Sequence, residues 1–333
     1  MTGEAIWVLC AADEAYAKPM TAMLRSAQDN LSGNHFLQVV VLDAGIHANT
    51  WTMIERSFRG ESIKLHRVVP ETLEIDGLPS AQDGSLAPYY RLFAGLLTPE
   101  HINKIIYLDS DLIVRSDLTE LWHQPLDQYY CLAAQDIACP YVDASIAKVN
   151  YTKAKPYITD TKPIRNWEAL GLDPTAHYFN SGVMVINLKL WRDTCVHEKL
   201  LRCLRQNQSF VRYWDQYALN VVFSGKWKEL PIHWNQGSAA FDYPNVDTAP
   251  IQASAFLRLR NDPAIVHFTS APKPWRLLGK HPYRDLFFRW LDRTAFIGWR
   301  PALSSTPVKH MVIDALRRSF NPFKPVLRRL SII

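Results

Sequence analysis

The first 110 residues alternate between short apolar runs and segments of helical periodicity. Four runs rich in Val, Ile and Leu predict buried strands: AIWVLCAA, FLQVVVLD (36–43), SIKLHRV and KIIYLD. The segments between them predict helices over 18–29, 49–58 and PYYRLFAGLL. Strands that alternate with helices indicate βαβ units and a mainly parallel sheet covered by helices on both faces. The pattern therefore predicts an α/β fold, and such sheets bind ligands beyond the carboxyl ends of their strands.

The pattern weakens between residues 138 and 177, where four prolines interrupt it. This stretch predicts a long irregular excursion above the sheet, a place where loops commonly carry specificity. Order returns further on, with a strand that turns into a helix in HYFNSGVMVINLKLWR and a helix in YWDQYALNVVF. Residues 236–263 are again loop-like, and AIVHFTSAPKPW predicts a strand followed by a turn.

Two carboxylates, Asp109 and Asp111, interrupt the apolar run IIYLDSDLIV. Side chains two positions apart on a strand point to the same side, so both can converge on one point. Two convergent carboxylates suit a hard divalent cation such as Mg²⁺ or Mn²⁺. A surface turn with solvated acids fits the spacing alone equally well. The apolar run before Asp109 and its place at a strand end favour the cation site.

Composition and cysteine spacing narrow the class of protein. The chain has 333 residues, of which 48% are hydrophobic and 21% charged, as in an ordinary globular protein. No segment approaches the roughly 20 apolar residues of a membrane-spanning helix, and the N-terminal residues lack the pattern of a secretory signal, which predicts a cytoplasmic protein. The five cysteines form no CxxC pair, which argues against a disulfide framework or zinc site and predicts small buried apolar side chains.

Four motifs in a fixed order resemble the bacterial members of glycosyltransferase family 8: YLDSDLIV, HYFNSGVMVINLKLWR, YWDQYALN and HFTSAPKPW. These members are lipopolysaccharide and lipooligosaccharide galactosyl- and glucosyltransferases, relatives of glycogenin. The resemblance runs from AADEAY to KPW and implies a GT-A (Rossmann-like) catalytic domain over 1–275 and a basic C-terminal extension over 276–333. It also implies retaining transfer of galactose or glucose from a UDP-hexose to a saccharide or glycolipid acceptor such as lipopolysaccharide core. The cofactor would be Mn²⁺, or Mg²⁺ in its place.

The resemblance implies a metal and diphosphate site built from two separate motifs. The metal ligands would be Asp109, Asp111 and His267. On sequence alone, a single histidine on an apolar strand is more often a core residue, but the polar turn leading into Lys273 favours a ligand. Lys273 would meet the diphosphate as a point charge. Ser110, between the two aspartates, and Ser270 would also lie at the nucleotide.

Other matched positions would hold the nucleoside and the donor sugar. The uracil positions are the Ala12 backbone, Asp13 as an acceptor and Tyr16 as a stacking face. Arg91 would reach towards the sugar and phosphate, although a surface salt bridge on a helix is the plainer interpretation. The positions lining the donor sugar are Asn180, Asp215 and Gln216. Asn180 could also be a turn residue before Gly182, and Asp215 an acid favoured by a helix dipole.

Three positions depart from the family pattern. The family often has Asn where this chain has Ala15, Gly where it has Ser270, and Asp where it has Tyr217. The first two bear on donor affinity and the third on sugar or acceptor preference. Retention commonly uses a carboxylate nucleophile, but the matching residue here is the amide Gln216. Front-face substitution with a β-phosphate oxygen as base is therefore favoured, and a covalent role for Asp215 stays open.

The net charge of +5 is concentrated in the C-terminal tail. From Lys309 onwards there are six Lys or Arg residues against one acid, Asp314. VKHMVIDALRRSF places apolar residues on one helix face, with Lys309, Arg317 and Arg318 largely off it. This pattern fits either a helix packed on the catalytic domain or an anchor to anionic lipid, at about 1 kcal/mol per basic residue. We favour the anchor, at the inner face of the cell membrane, because a lipid-linked acceptor would lie there.

Two other functions use some of the same features. A phosphohydrolase of the haloacid-dehalogenase type also has an apolar strand ending in DxD, but on its first strand. A membrane-surface protein that binds sugar nucleotides without turnover would keep most of the motifs. A nucleic-acid partner is not expected, because the basic block is short and has few aromatic residues for stacking.

Overall fold

The computed structural model of the protein describes residues 3–71, 73–79, 86–147 and 150–301. Its strands are β1 (Ala5–Ala12), β2 (Phe36–Asp43), β3 (Ile63–Val68), β4 (Lys104–Leu108), β5 (Leu112–Val114), β6 (Cys131–Gln135), β7 (Phe179–Asn187), β8 (Trp227–Leu230), β9 (Gln236–Gly237) and β10 (Ile265–His267). Its α-helices are α1 (Ala17–Asp29), α2 (Ala48–Ser57), α3 (Ala94–Leu97), α4 (Thr119–Trp122), α5 (Tyr151–Ala154), α6 (Leu188–Asp193), α7 (Val196–Gln206), α8 (Asp215–Val222), α9 (Ala253–Asn261) and α10 (Arg284–Leu291).

Seven strands form the central sheet in the order β3-β2-β1-β4-β7-β6-β8. Four of the six neighbouring pairs are parallel, and only the two pairs made by β7, with β4 and with β6, are antiparallel. The prediction of an α/β fold with a mainly parallel sheet is therefore confirmed.

The sheet is buried on both faces because its strands are apolar at successive positions. Along β1, Ile6, Val8 and Cys10 belong to one hydrophobic cluster, whereas Leu9 and Ala11 belong to another. Alternate side chains of a strand point to opposite faces, so each cluster lies on one side. The first cluster also contains side chains of α1, α2 and α10, and the second contains side chains of α6, α7 and α8.

A second, three-stranded sheet, in the order β5-β10-β9, holds the residues that follow the central strand β4. A link of three residues separates β4 from β5, which pairs antiparallel with β10, so that Leu112 faces His267. The short link between β4 and β5 contains Asp109 and Asp111. The chain thus leaves one sheet and enters the other at the two carboxylates.

Several local predictions differ from the structure. The segment predicted as the helix PYYRLFAGLL is a 3-10 helix over Ala87–Phe93 followed by the single turn of α3. The stretch 236–263, predicted as loop, contains β9 and α9. Four of the cysteines are buried as predicted, but Cys195, at the N-cap of α7, is exposed.

The described part of the proposed extension packs on the main body of the protein. Phe287, Phe288 and Leu291 of α10, together with Phe296, belong to the cluster that contains α1. The boundary at residue 275 stays a prediction, as does the amphipathic tail, since residues 302–333 lie outside the described residues. Among the helices of the described residues, none combines the length and apolar character that crossing a membrane requires.

Candidate metal centre and active site

Asp109 and Asp111 are held by backbone contacts at the junction of the two sheets. The Asp109 amide donates to the Gly182 carbonyl of β7 at 2.8 Å, and the Phe268 amide donates to the Asp111 carbonyl at 3.0 Å. Ser110 turns the other way, and its buried hydroxyl donates to the Ala11 carbonyl at 2.6 Å. The two carboxylates therefore point to one side of the link, as the spacing predicts.

His267, the last residue of β10, brings its imidazole to these carboxylates. Its Nε2 lies 3.2 Å from Asp111 Oδ1 and 3.6 Å from Asp109 Oδ2. One ligand atom from each of the three residues lies within 4.8 Å of the others. The side chains of Asp109, Asp111 and His267 are 22%, 11% and 5% exposed, so the cluster is recessed and still open to a ligand.

The other oxygen of each carboxylate is bound to a cationic side chain. Asp109 Oδ1 accepts from the Tyr107 hydroxyl at 2.8 Å and lies 2.9 Å from Arg91 Nη2. Asp111 Oδ2 accepts from Lys273 Nζ at 2.7 Å, and Lys273 also donates to the Phe268 carbonyl at 2.5 Å. Both carboxylates are thereby held with their second oxygen facing His267.

The charge at Asp111 is stabilised by its neighbours. Burial by itself raises the pKa of Asp111, but the Lys273 ammonium and His267 outweigh that effect and hold the pKa well below its usual value. Asp111 is therefore ionised at neutral pH, as a metal ligand must be.

The arrangement of His267 fits a divalent cation. Its Nδ1 lies 2.8 Å from Asn235 Oδ1, and an amide oxygen can only accept, so Nδ1 donates this hydrogen bond. Nε2, on the opposite side of the ring, then faces two carboxylate oxygens, an arrangement that a cation would stabilise. Two carboxylates and one imidazole form a donor set that suits a divalent cation. Gly182 leaves the space for it, because a Cβ there would lie 2.3 Å from His267 Cε1 and 2.7 Å from Asp109 Oδ2.

Arg91 connects the metal cluster to the start of α8. Its guanidinium lies 2.9 Å from Asp109 Oδ1 and 3.0 Å from Asp215 Oδ2, and it donates to the Ser181 carbonyl at 2.7 Å. The ring of Tyr107 lies beneath it, 4.4 Å from the guanidinium carbon. The alternative of a surface salt bridge is wrong, because the Arg91 side chain is only 6% exposed. Burial lowers the pKa of Arg91, but Asp109 and Asp215 raise it by more, so the charge is permanent.

Asp215, Gln216 and Asn180 lie together beside this cluster. Gln216 Nε2 and Asn180 Nδ2 both donate to Asp136 Oδ2, at 3.1 and 3.0 Å. Gln216 Oε1 accepts from the Ser181 amide at 3.1 Å. Asp215 begins α8, so the interpretation as a helix N-terminal acid also holds, whereas Asn180 lies within β7 and not in a turn.

The residues matched to the nucleoside lie at the end of β1. Ala12 is the last residue of β1, and its carbonyl accepts from the Ala44 amide at 2.9 Å. Asp13 Oδ1 accepts from the Tyr16 amide at 3.1 Å. The Tyr16 ring meets Trp275 of the KPW motif edge-on, with 5.8 Å between ring centroids. The two ends of the predicted nucleotide site are therefore brought into contact, and the roles of these residues stay predictions.

The three residues that depart from the family pattern, Ala15, Ser270 and Tyr217, differ in their surroundings. Ala15 and Ser270 are exposed at the surface. Tyr217 is fully buried among the residues on one side of the central sheet, and its hydroxyl donates to Asn166 at 2.8 Å. Tyr217 therefore has a structural role in the core.

Two residues of the cluster were not found from the sequence. Asp136 follows β6 as Asp109 follows β4, so the same signal, an acid after a buried strand, was present there. Asn235 lies between a 3-10 helix and β9, where no periodic pattern marks it. Its position near His267 depends on long-range packing.

The family model "Glycosyl transferase family 8" matches residues 7–279 of the chain. The chain belongs to glycosyl transferase family 8. The match includes every site residue predicted above and covers most of the described residues. Family membership implies a sugar-nucleotide donor, a saccharide acceptor and a divalent metal, in agreement with the Asp109, Asp111 and His267 cluster.

Relatives and solved structures agree with the family 8 assignment. General stress protein A of Bacillus subtilis is 26% identical over 87% of this chain and 94% of its own length. Lipopolysaccharide 1,2-glucosyltransferase of Escherichia coli is 27% identical over 66% of this chain and 57% of its own length. A crystal structure of the galactosyltransferase LgtC with donor and acceptor sugar analogues is 23% identical, with a TM-score of 0.68 over 87% of this chain and 96% of that one. The family 8 chain therefore has the expected GT-A fold.

The family assignment does not favour the other two functions. In a haloacid-dehalogenase-type phosphohydrolase the first Asp must be free to act as a nucleophile. In this family 8 chain Asp109 follows the fourth strand, and its Oδ1 is bound by Tyr107 and Arg91.

Proposed function

We propose that this protein transfers galactose or glucose from a UDP-hexose to a saccharide acceptor, with retention at the anomeric carbon and with Mn²⁺ as cofactor. The acceptor would be lipopolysaccharide core or another lipid-linked glycan. The observation that carries the proposal is the convergence of Asp109 Oδ2, Asp111 Oδ1 and His267 Nε2, each oriented by a contact on its opposite side.

Asp109, Asp111 and His267 would hold the cation. When bound there, a divalent metal would supply positive charge to the leaving diphosphate. Lys273 carries a second positive charge at the same place, since its ammonium is 2.7 Å from Asp111. Arg91 supplies a third, fixed by four protein contacts and buried from water. Positive charges arranged before the reaction stabilise negative charge that develops on the leaving group.

In the transfer step, the bond between the anomeric carbon and the β-phosphate oxygen breaks and its electron pair leaves with UDP. The acceptor hydroxyl oxygen forms the new bond on the same face. Its proton passes to a β-phosphate oxygen of the departing UDP. Asp215 and Gln216 would lie near the positive charge that develops on the sugar.

The surroundings of Gln216 and Asp215 support front-face substitution. Gln216 is an amide whose oxygen already accepts from the Ser181 amide, so it is a poor nucleophile. Asp215 Oδ2 lies 3.0 Å from Arg91 Nε, but that N–H donates to the Pro88 carbonyl. Among the described residues Asp215 Oδ2 accepts no hydrogen bond, and burial raises the pKa of Asp215 to about 7. A half-protonated carboxyl is a weaker nucleophile at neutral pH than an ionised one.

The tail would bring the enzyme to a lipid-linked acceptor at the inner face of the cell membrane. This part of the proposal depends on the sequence pattern of 302–333, with its excess of basic residues.

The first test is UDP release by the purified protein with Mn²⁺ and each of UDP-galactose, UDP-glucose, UDP-N-acetylglucosamine and UDP-N-acetylgalactosamine. We expect release from one hexose donor, because water can replace the acceptor slowly. EDTA and Asp111→Asn should each abolish release. Asp117→Asn is a matched control, since Asp117 lies six residues further along and bonds to Ser32 and Thr119 outside the cluster.

Release that is insensitive to EDTA and to Asp111→Asn would contradict the metal-dependent mechanism. If no donor gives UDP release but the protein still binds UDP, the result would favour a sugar-nucleotide-binding protein without turnover. Proton NMR of the first product formed with an acceptor would report the anomeric configuration, and inversion would contradict the retaining mechanism.

A further inference from the structure

A chain of side-chain hydrogen bonds connects the predicted metal ligand His267 to the residues that line the predicted sugar site. Asp136 Oδ2 accepts from Asn180 Nδ2 at 3.0 Å, and Asn180 Oδ1 accepts from Asn235 Nδ2 at 2.9 Å. Asn235 Oδ1 lies 2.8 Å from His267 Nδ1. Asn235 is the link between the two halves.

The direction of every bond in this chain follows from its fixed end. A carboxylate oxygen at Asp136 requires a donor, so Asn180 presents its NH₂ group there. Asn180 Oδ1 then faces the Gly182 backbone N–H, which donates to it at 3.0 Å, and the NH₂ group of Asn235. Asn235 is thereby left with only its oxygen for His267, which must donate from Nδ1.

Asn235 and His267 are both buried, so the hydrogen bond between them has no substitute from solvent. Asn235 is 3% exposed and His267 4% exposed, so neither side chain can exchange its partner for bulk water. Loss of the acceptor would leave Nδ1 buried without its Asn235 partner, and this contact holds the ring with Nε2 3.2 and 3.6 Å from the two carboxylate oxygens. A hydrogen bond to the far nitrogen of a metal-binding histidine fixes the orientation of its ring.

We propose that Asn235 is a positioning residue that fixes the His267 ring with Nε2 towards the metal and connects His267 to Asn180 on the sugar side. The inference rests on the proposed metal-dependent transfer from a sugar nucleotide. The two contacts of Asn235 can be tested separately, because its oxygen faces His267 and its NH₂ group faces Asn180.

The test compares Asn235→Leu with Asn235→Asp. The Mn²⁺ affinity of the protein without nucleotide is measured by electron paramagnetic resonance of the free ion, and the gain in UDP-sugar affinity over UDP by calorimetry. Asn235→Leu removes the acceptor, and we expect Mn²⁺ to bind about 10- to 100-fold more weakly. Asn235→Asp keeps an acceptor for His267 but no longer donates to Asn180. We expect its Mn²⁺ affinity to be at least that of the unchanged protein, and UDP-glucose and UDP-galactose to bind no better than UDP.

Asn207→Leu is the matched control. Asn207 also makes side-chain hydrogen bonds, to the Cys203 carbonyl and from Asn166, but it follows α7 outside the cluster. It should bind Mn²⁺ as the unchanged protein does, even if it melts at a lower temperature. Wild-type Mn²⁺ affinity in a folded Asn235→Leu protein would overturn the inference and leave the proposed function intact. If the unchanged protein binds no Mn²⁺, the proposed function itself fails.

Discussion

At the scale of single residues, Asp215 is an acid whose surroundings favour its neutral form. It is 2% exposed, and burial raises its pKa from 3.8 to about 7 in spite of the opposing charge of Arg91. The folded protein therefore holds a proton between pH 4 and 7 that the unfolded chain has lost. Stability linked to this group is present below about pH 4 and is lost as the pH rises to 7.

This loss of stability with rising pH predicts how the stability of Asp215→Asn compares with that of the unchanged protein, because the Asn side chain resembles the protonated acid at every pH. The free energy of unfolding of the variant, minus that of the unchanged protein, should rise between pH 5 and 8. We expect a rise of about 3 kcal/mol, since each pH unit between pH 5 and 7 contributes about 1.36 kcal/mol for the one proton involved. Urea unfolding at four pH values measures it. A difference that does not change with pH would mean that Asp215 is ionised throughout and fully paired with Arg91.

At the scale of secondary-structure elements, the site depends on how closely β7 approaches β10. A Cβ at Gly182 of β7 would lie 2.3 Å from the His267 ring. We expect Gly182→Ala to displace His267 or Asp109 and to weaken Mn²⁺ binding by at least 10-fold. The measurement is Mn²⁺ affinity together with circular dichroism, which checks that the protein is folded.

Gly237→Ala on β9 is the control for Gly182. A Cβ there would meet Thr269 at 3.4 Å, an ordinary contact, so Mn²⁺ affinity should be unchanged. Equal affinities in the two alanine variants would show that the space at Gly182 does not control the site.

The elements that the sequence predicts well are those with long apolar runs. β1 and β2 each have eight residues with a continuous apolar core, and their bounds match the predicted runs. β6 and β8 were missed because they are short, with five and four residues, and they give too few positions to establish a period. α9 was missed because prolines and polar residues surround its nine residues.

The residues of the site are likewise predictable from the sequence only where a long apolar run marks their position. Asp109 and Asp111 stand out because they follow a strand that is visible in the sequence. Asn235 has no such context, since its contact with His267 joins residues 32 positions apart through packing. Local patterns thus identify charged residues at strand ends, whereas the residues that orient them depend on the complete fold.

At the scale of the whole molecule, charge is divided unevenly between the folded body and the tail. The chain has a net charge of +5, and six basic residues against Asp314 give the tail from Lys309 the same net charge. The remainder is therefore neutral. α10, which precedes the tail, packs on the main body through Phe287, Phe288 and Leu291. Removal of charge beyond residue 301 should therefore leave the cluster of Asp109, Asp111 and His267 unchanged.

This separation allows the membrane role of the tail to be tested without altering the site. Changing Lys309, Arg317 and Arg318 to Gln in the full chain should lower binding to vesicles rich in anionic lipid by about 3 kcal/mol, or roughly 100-fold. Sedimentation with vesicles measures this change in binding. High salt, at 0.5 M, should weaken binding of the unchanged protein, because it screens the contribution of about 1 kcal/mol per charge.

The matched control changes three exposed basic residues of the folded body, Arg56, Arg59 and Lys64. If both triple variants lose binding equally, net charge alone attracts the protein. If neither triple variant loses vesicle binding, the tail is not a membrane anchor. The proposed transferase activity would still be tested separately, by UDP release and Mn²⁺ binding.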